Sequence, residues 1–216
     1  MSLRASSPPV DLWRIAAEGL RRVARPTSAP KEGLVRKKAV TGSAKPIASP
    51  VYDLPVTARS LKAARQIGWQ FLVADDSQKA IGVEVHLPSK RGERGRFSQV
   101  TRGPHAETPY RMLIEPAARP AELDKDAFTL RLIRTPELSL AALWFHGRRS
   151  DVLRPLAPTP APFQNDQAYG VNEFLALFEQ CASNWKRHFS TADPTLPAKR
   201  DAKAARREAD PPKANR

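Results

Sequence analysis

The amino-acid sequence predicts an α+β fold, with a mostly antiparallel four- or five-stranded sheet packed by helices and with disordered basic N- and C-terminal extensions. Two pairs of segments with alternating apolar residues predict β-hairpins, and a long stripe of apolar residues near the C-terminus predicts a helix. We therefore divide the 216 residues into an amphipathic basic helix (1–25), a disordered linker (26–50), a single α+β domain (51–190) and a disordered basic tail (191–216).

The first predicted element is a short amphipathic helix. Ser7 is a candidate N-cap, because its hydroxyl can accept a backbone N–H, and Pro26 ends the helix. One face carries Val10, Trp13, Ala17, Leu20 and Ala24, and another carries Arg14, Glu18, Arg21 and Arg25. An isolated helix of about 16 residues is marginal in water, so Trp13 and Leu20 need a surface to pack on. That surface is the protein's own domain, a groove on a partner protein or an anionic membrane. An organelle-targeting segment fits less well, because acidic residues interrupt the pattern.

Most of the net charge of +14 lies in the two ends of the chain. Residues 1–50 contain ten basic and three acidic side chains, and residues 191–216 contain seven and four. The linker and the tail are rich in proline and small polar residues, and they bury too little apolar surface to fold alone. We expect a nearly balanced domain with two basic extensions, which are either solvated or become ordered on an anionic partner.

The domain is predicted to start with a helix and a hairpin. Residues 57–67 predict the helix, with Thr57 as its cap and Gly68 as its end. The next two segments, 69–74 and 80–87, each present one apolar face: Trp69, Phe71 and Val73 in the first, and Ile81, Val83, Val85 and Leu87 in the second. The polar residues 75–78 predict the turn. Glu84 lies on the opposite face, which we expect to be partly hydrated.

A second hairpin and two more helices complete the predicted domain. Residues 128–133 alternate, 135–137 predict a turn, and 138–147 is apolar at almost every position, which is typical of a strand buried on both faces. A short helix is predicted from Thr108 to Glu115. The last helix, with Asn172 as its candidate cap, has apolar residues at spacings of three and four: Val171, Phe174, Leu175, Phe178, Cys181, Ala182, Trp185 and Phe189.

The sequence contains no motif that identifies a cofactor or a catalytic nucleophile. No window approaches the run of about 18 apolar residues that a transmembrane helix needs, and the N-terminus lacks the apolar core of a secretory signal. Cys181, the single cysteine, falls in the apolar stripe of the last helix, where we expect a buried thiol. The four histidines lack metal-ligand spacing. We predict no catalytic residues, no metal site and no cofactor, in a soluble cytoplasmic protein.

Two histidines occupy corresponding positions in the hairpins. His86 and His146 each end a second hairpin strand, so they meet at one sheet edge if both hairpins have the same orientation. Glu84 and Asp151 are then candidates to orient the imidazole rings for acid–base chemistry. The simpler interpretation, which we prefer, is that each histidine is half-exposed and satisfied by a loop carbonyl.

Residues 90–102 have the composition of a phosphate-binding loop. The segment contains Lys90, Arg91, Arg94, Arg96 and Arg102, together with two glycines and Phe97. Arginine binds phosphate through a planar fork of N–H donors, and a neighbouring aromatic ring can stack on an unpaired base. Glu93 reduces the positive charge, and the interpretation that we prefer for this segment is an exposed loop or a loop that contacts a protein.

These observations favour a non-catalytic interaction or accessory module of a larger protein assembly, docking through its N-terminal helix and basic surfaces. The predicted docking residues are Trp13, Leu20, Arg14 and Arg21. The alternative is a nucleic-acid-associated protein that contacts phosphates through Lys90, Arg91, Arg94, Arg96, Phe97 and Arg102. A third, weaker interpretation is an enzyme whose site is assembled from scattered residues. The expected partner is another protein or complex, with nucleic acid as the second candidate.

Overall fold

The computed structural model describes residues 3–23, 46–74, 79–88, 90, 93–119, 121, 123 and 126–190. The chain contains one compact unit, Met1–Ala182, and a second unit, Ser183–Arg216, of which only the end of a helix is described. Most of the predicted linker, the whole of the predicted tail and the predicted turn at 75–78 lie outside the described residues.

The described residues form nine strands and three α-helices. The strands are β1 (Leu3–Arg4), β2 (Ile47–Asp53), β3 (Arg65–Ala74), β4 (Ala80–His86), β5 (Arg96–Thr101), β6 (Phe128–Thr135), β7 (Leu140–Gly147), β8 (Asp151–Pro155) and β9 (Tyr169–Gly170). The helices are α1 (Val10–Val23), α2 (Pro104–Ile114) and α3 (Val171–Ser190). Both predicted hairpins, β3–β4 and β6–β7, and the long C-terminal helix are confirmed.

All nine described strands belong to one mixed sheet. Their order is β5-β4-β3-β2-β6-β7-β8-β9, and β1 lies beside β6. Neighbours are antiparallel except that β1 and β2 both run parallel to β6. The predicted α+β class is confirmed, but the predicted number of four or five strands is wrong. The additional strands are short, polar or interrupted by proline, so an alternation of apolar residues does not mark them.

Strand β2 contains a proline, which explains why the sequence predicts a linker over its first half. Pro50 pairs with Trp69 of β3, whereas the pairing of β2 with β6 begins only at Val51. Proline has no N–H to donate, so it is tolerated where one side of a strand lacks a partner. The first residues of β6, Phe128 and Thr129, pair with β1 instead. The predicted boundary between linker and domain therefore lies inside a strand.

Helix α1 packs on one face of the sheet, over β3, β4 and β5. Its Leu12, Ala16 and Leu20 are buried in a cluster with side chains of these strands, which include Phe71, Ile81, Val83 and Val85. Burying one leucine side chain contributes about 1.5–3 kcal/mol, so this contact stabilises a helix that is marginal alone. The buried stripe differs from the predicted one, because Val10 is 87% exposed.

Helix α2 packs on the opposite face of the sheet. Ala106 contacts a small cluster with Leu72 and Ala80, and Met112 lies in a larger one around β6 and β7. The helix begins at Pro104, four residues before its predicted start, because a proline fits the first helical turn. None of the helices in the described part of the chain is both long enough and apolar enough to cross a membrane.

The helix predicted over 57–67 is wrong. Only Leu61–Ala63 is helical, as a single 3₁₀ turn capped by the Ser60 hydroxyl. The apolar residues that suggested a helix, Ala58 and Leu61, are buried. The backbone after Ala63 extends into β3, where pairing with the end of β2 supplies its hydrogen-bond partners.

Candidate functional site

A buried carboxylate lies at the centre of a polar cluster on the α2 face of the sheet. The Glu84 side chain is 1% exposed, so the expectation of a partly hydrated position is wrong. Arg134 of β6 donates to both carboxylate oxygens, from Nη2 to Oε1 at 2.8 Å and from Nη1 to Oε2 at 2.9 Å. Gln99 Nε2 donates to Oε2 at 3.1 Å, and His86 Nε2 lies 2.8 Å from Oε1. This arrangement supplies the partners that a buried charge needs.

Arg134 also connects this cluster to the surface. Its Nε donates to Asp53 Oδ1 at 3.2 Å, and the Asp53 side chain is 39% exposed. Sequence reasoning missed Arg134 and Asp53. Arg134 is 81 positions away from Asp53 and 50 positions away from Glu84, so no local pattern connects them. The available signal was Glu84 itself, a charged residue in an otherwise apolar strand.

A pocket of about 390 Å³ opens beside the cluster. Thr101, Arg102 and His105, from the end of β5 and the start of α2, lie in its lining together with Glu84 and Arg134. This volume is within the range of small-ligand sites, roughly 300–1,000 Å³. Arg134 is engaged by Glu84, so Arg102 is the guanidinium of the lining that is not part of this pair.

Gln70 forms another part of the pocket lining. Its Nε2 donates to the backbone oxygen of His105 at 3.5 Å, while its Oε1 is buried without a hydrogen-bond partner among the described residues. The first contact ties α2 to β3 and so fixes one wall of the pocket.

The basic segment 90–102 reaches the pocket with its last residues, Gln99, Val100, Thr101 and Arg102. Its second half is strand β5, which pairs with β4 from Gly82 to His86, so the predicted free loop is wrong. Its positive side chains are exposed where they are described: Lys90, Arg94, Arg96 and Arg102. Arg91 lies outside the described residues. Phe97 is half-buried with its ring against Gly19 of α1, so the ring has a protein contact where the nucleic-acid hypothesis places a base.

The predicted docking residues of α1 are divided between core and surface. Leu20 is 6% exposed within the cluster under the helix, and the Trp13 ring lies 5.5 Å from the Phe71 ring. These two side chains hold α1 on the protein's own sheet, which corrects their assignment to a partner surface. Arg14 and Arg21 are exposed.

His146 lies on the other face of the sheet, next to a carboxylate. Its Nδ1 is 2.8 Å from Asp151 Oδ1, which also accepts the Gly147 N–H at 3.2 Å. Both His86 and His146 are half-exposed as predicted, but each contacts a carboxylate and not a loop carbonyl. The partners are the two carboxylates that the sequence suggested.

His86 and His146 do not share a site. Strands β3, β2 and β6 lie between β4 and β7, which corresponds to about 19 Å at about 4.8 Å per strand. The side chains also lie on opposite faces, since His86 contacts the Glu84 cluster and His146 is paired with Thr129 on the side away from Arg134. Paired acid–base chemistry by these two histidines is therefore excluded in this fold.

Cys181 is a buried thiol in α3, with 5% of its surface exposed. Burial raises its pKa, which disfavours the reactive thiolate. In the described ranges, no group of three or more His, Cys, Asp or Glu side chains is arranged to hold a metal ion.

Comparison of this chain with protein-family models, curated proteins and solved structures gave no match.

Proposed function

We propose that this domain is a non-catalytic interaction module of a larger assembly, and that it binds an extended acidic segment of a partner protein along β5. The main support for this proposal is the position of β5 at one edge of the sheet. Among the described strands β5 pairs with β4 alone, so one row of its backbone N–H and C=O groups faces away from the sheet. A free strand edge of this kind can accept an extended peptide as an additional strand.

The charge of this edge favours an acidic partner. Arg94, Arg96 and Arg102 are exposed along it, and Glu93 is the one acidic residue described between positions 90 and 102. Two copies of such an edge repel each other, because pairing would bring like charges together. An acidic segment gains the same main-chain hydrogen bonds together with favourable charge pairs.

The pocket gives this surface a place for one side chain of the partner. Arg102 and Thr101 belong both to the end of the edge segment and to the pocket lining. A glutamate of the bound segment can enter there and pair with Arg102. Helix α1 supports β5 from one face through Phe97, and its exposed Arg14 and Arg21 add positive charge to the same end of the sheet.

The test uses the full chain and a fluorescent peptide of about 12 residues with alternating Glu and Val. Fluorescence anisotropy should show binding, and Arg96→Glu and Arg102→Glu should each weaken it about tenfold or more. Arg148→Glu is the matched control, because Arg148 is exposed outside this edge. A peptide with proline at alternate positions should bind poorly, because it cannot complete the strand ladder. Equal binding by the edge variants and the control would contradict the proposal.

The second candidate is a nucleic-acid-binding function, which the clustering of exposed Lys90, Arg94, Arg96 and Arg102 favours. Because the Phe97 ring contacts Gly19, this binding would depend on phosphate contacts and show little base preference. A single-stranded oligonucleotide is the probe. Its log K should fall steeply with log salt, and reversal of the arginine charges should abolish binding. Binding that is absent or independent of salt would exclude this candidate.

A further inference from the structure

Arg131 of β6 lies on the sheet face opposite the Glu84 cluster, with its guanidinium over two aromatic rings. Its Cζ is 4.7 Å from the Trp144 ring centroid and 5.3 Å from the Tyr52 ring centroid. Among the described residues its side chain contacts these two rings and no carboxylate or carbonyl acceptor. A cation–π contact of this kind places the guanidinium but uses none of its N–H groups as hydrogen-bond donors to an acceptor atom, so they can still bind a ligand.

The strand register brings other donors beside Arg131. Thr129, two positions earlier on the same face of β6, lies opposite His146 of β7 and next to Arg4 of β1. Arg131 and His146 are therefore diagonal neighbours, whose backbones are roughly 7–8 Å apart. The rings of Trp144 and His146 are in edge contact, with centroids 5.5 Å apart. A guanidinium and a hydroxyl of β6 and an imidazole of β7 therefore lie on the same face of two neighbouring strands.

The contact with Asp151 orients the His146 ring. Asp151 Oδ1 engages Nδ1, so Nε2 is the ring nitrogen that remains for a ligand, and a protonated imidazole donates from both nitrogens. The same carboxylate oxygen accepts the Gly147 N–H within its own hairpin. The negative charge of Asp151 is thereby engaged by groups of its own hairpin.

We propose that the surface formed by Arg131, Thr129 and His146 is a binding site for a phosphoryl group. A planar carboxylate is saturated by one guanidinium fork, whereas a phosphoryl group has three strong acceptor oxygens that point in different directions. Donors on separate strands match the second geometry. The site is independent of the proposed function, since β4, β3 and β2 separate β5 from β6.

The experiment titrates the full chain with inorganic phosphate, phenyl phosphate and acetate, and follows binding by calorimetry. The two phosphoryl ligands should bind more tightly than acetate. Arg131→Gln should raise the Kd for phosphate about tenfold or more, and His146→Gln should raise it several-fold. Arg148→Gln, which removes an exposed arginine of the adjacent β7–β8 turn, should leave it unchanged. Circular dichroism establishes that each variant is folded.

The comparison of ligands also identifies the source of the phosphoryl group. Tighter binding of phenyl phosphate indicates a phosphate ester, and equal affinities indicate free phosphate. The proposal is overturned if acetate binds as tightly as phosphate, or if a folded Arg131→Gln variant binds phosphate like the Arg148→Gln control. Thr129→Val provides a further check, since it removes the hydroxyl and keeps the β-branched shape that suits a strand. An unchanged Kd in this variant would remove Thr129 from the site.

Discussion

Removing the arginine that pairs with Glu84 should strongly destabilise the fold. In Arg134→Met the carboxylate of Glu84, which is 1% exposed, keeps Gln99 and His86 as neighbours but loses both guanidinium hydrogen bonds. Loss of one partner of a buried ion pair costs about 3–5 kcal/mol. Because the Arg134 side chain is 20% exposed, water partly replaces it, and we expect a value of about 3 kcal/mol. For a chain of this size that loss lowers Tm by roughly 6–12 °C.

The assay is urea unfolding followed by circular dichroism, combined with a double-mutant cycle. Replacing both charges, in Glu84→Met with Arg134→Met, removes the unpaired carboxylate, so the double variant should be more stable than Arg134→Met alone. Arg148→Met serves as a surface control and should change the free energy of unfolding by less than about 0.5 kcal/mol. A loss below about 1 kcal/mol in Arg134→Met, or additive effects in the cycle, would refute the importance of this pair.

Three further predictions concern packing and ionisation. Gly19→Leu should lower the free energy of unfolding in urea by about 1–3 kcal/mol, since a Cβ at Gly19 would lie 2.0 Å from Phe97 Cδ2. Gly170→Ala is the control and should be nearly neutral, because a Cβ at Gly170 would have no atom within 4 Å. Because burial raises the pKa of Cys181, the free energy of unfolding should fall as pH rises above 9.0, and Cys181→Ala should reduce that fall in unfolding curves at alkaline pH. The backbone N–H groups of Ala127 and Arg149 lower the pKa of Asp126. The ionised carboxylate therefore contributes to stability above pH 3.8, and that contribution is lost as the pH falls below this value. In acid unfolding curves, Asp126→Asn should reduce the loss of stability below pH 3.8.

The sequence predicts the parts of this fold that follow a simple hydrophobic period. The β3–β4 and β6–β7 hairpins alternate apolar and polar residues, and α3 repeats every three or four positions, so local pattern is sufficient there. Strand β5 lacks this signal, because it is an edge strand with exposed Arg96, Ser98 and Gln99. Residues 57–67 carry a helical spacing in Ala58 and Leu61, but sheet pairing requires the chain after them to be extended. Tertiary contacts decide both cases.

The candidate sites also contain some contacts that the sequence predicts and others that it does not. The pairs Glu84–His86 and His146–Asp151 lie close in sequence, so they were open to inference from sequence. The ion pair between Glu84 and Arg134 depends on the strand order, in which β3 and β2 lie between β4 and β6. The sequence contains no local signal for that order. The stacking of Arg131 likewise depends on β2 lying beside β6.

The two ends of the sheet differ in their capacity to accept a partner strand. At one end, β9 contains two residues and continues directly into α3, so it offers too short a ladder for a stable additional strand. At the other end, β5 offers six residues, supported from one face by α1. Its arginines oppose pairing with a second copy of the same edge and favour an acidic strand. Edge length and edge charge therefore lead to the same surface and the same class of partner.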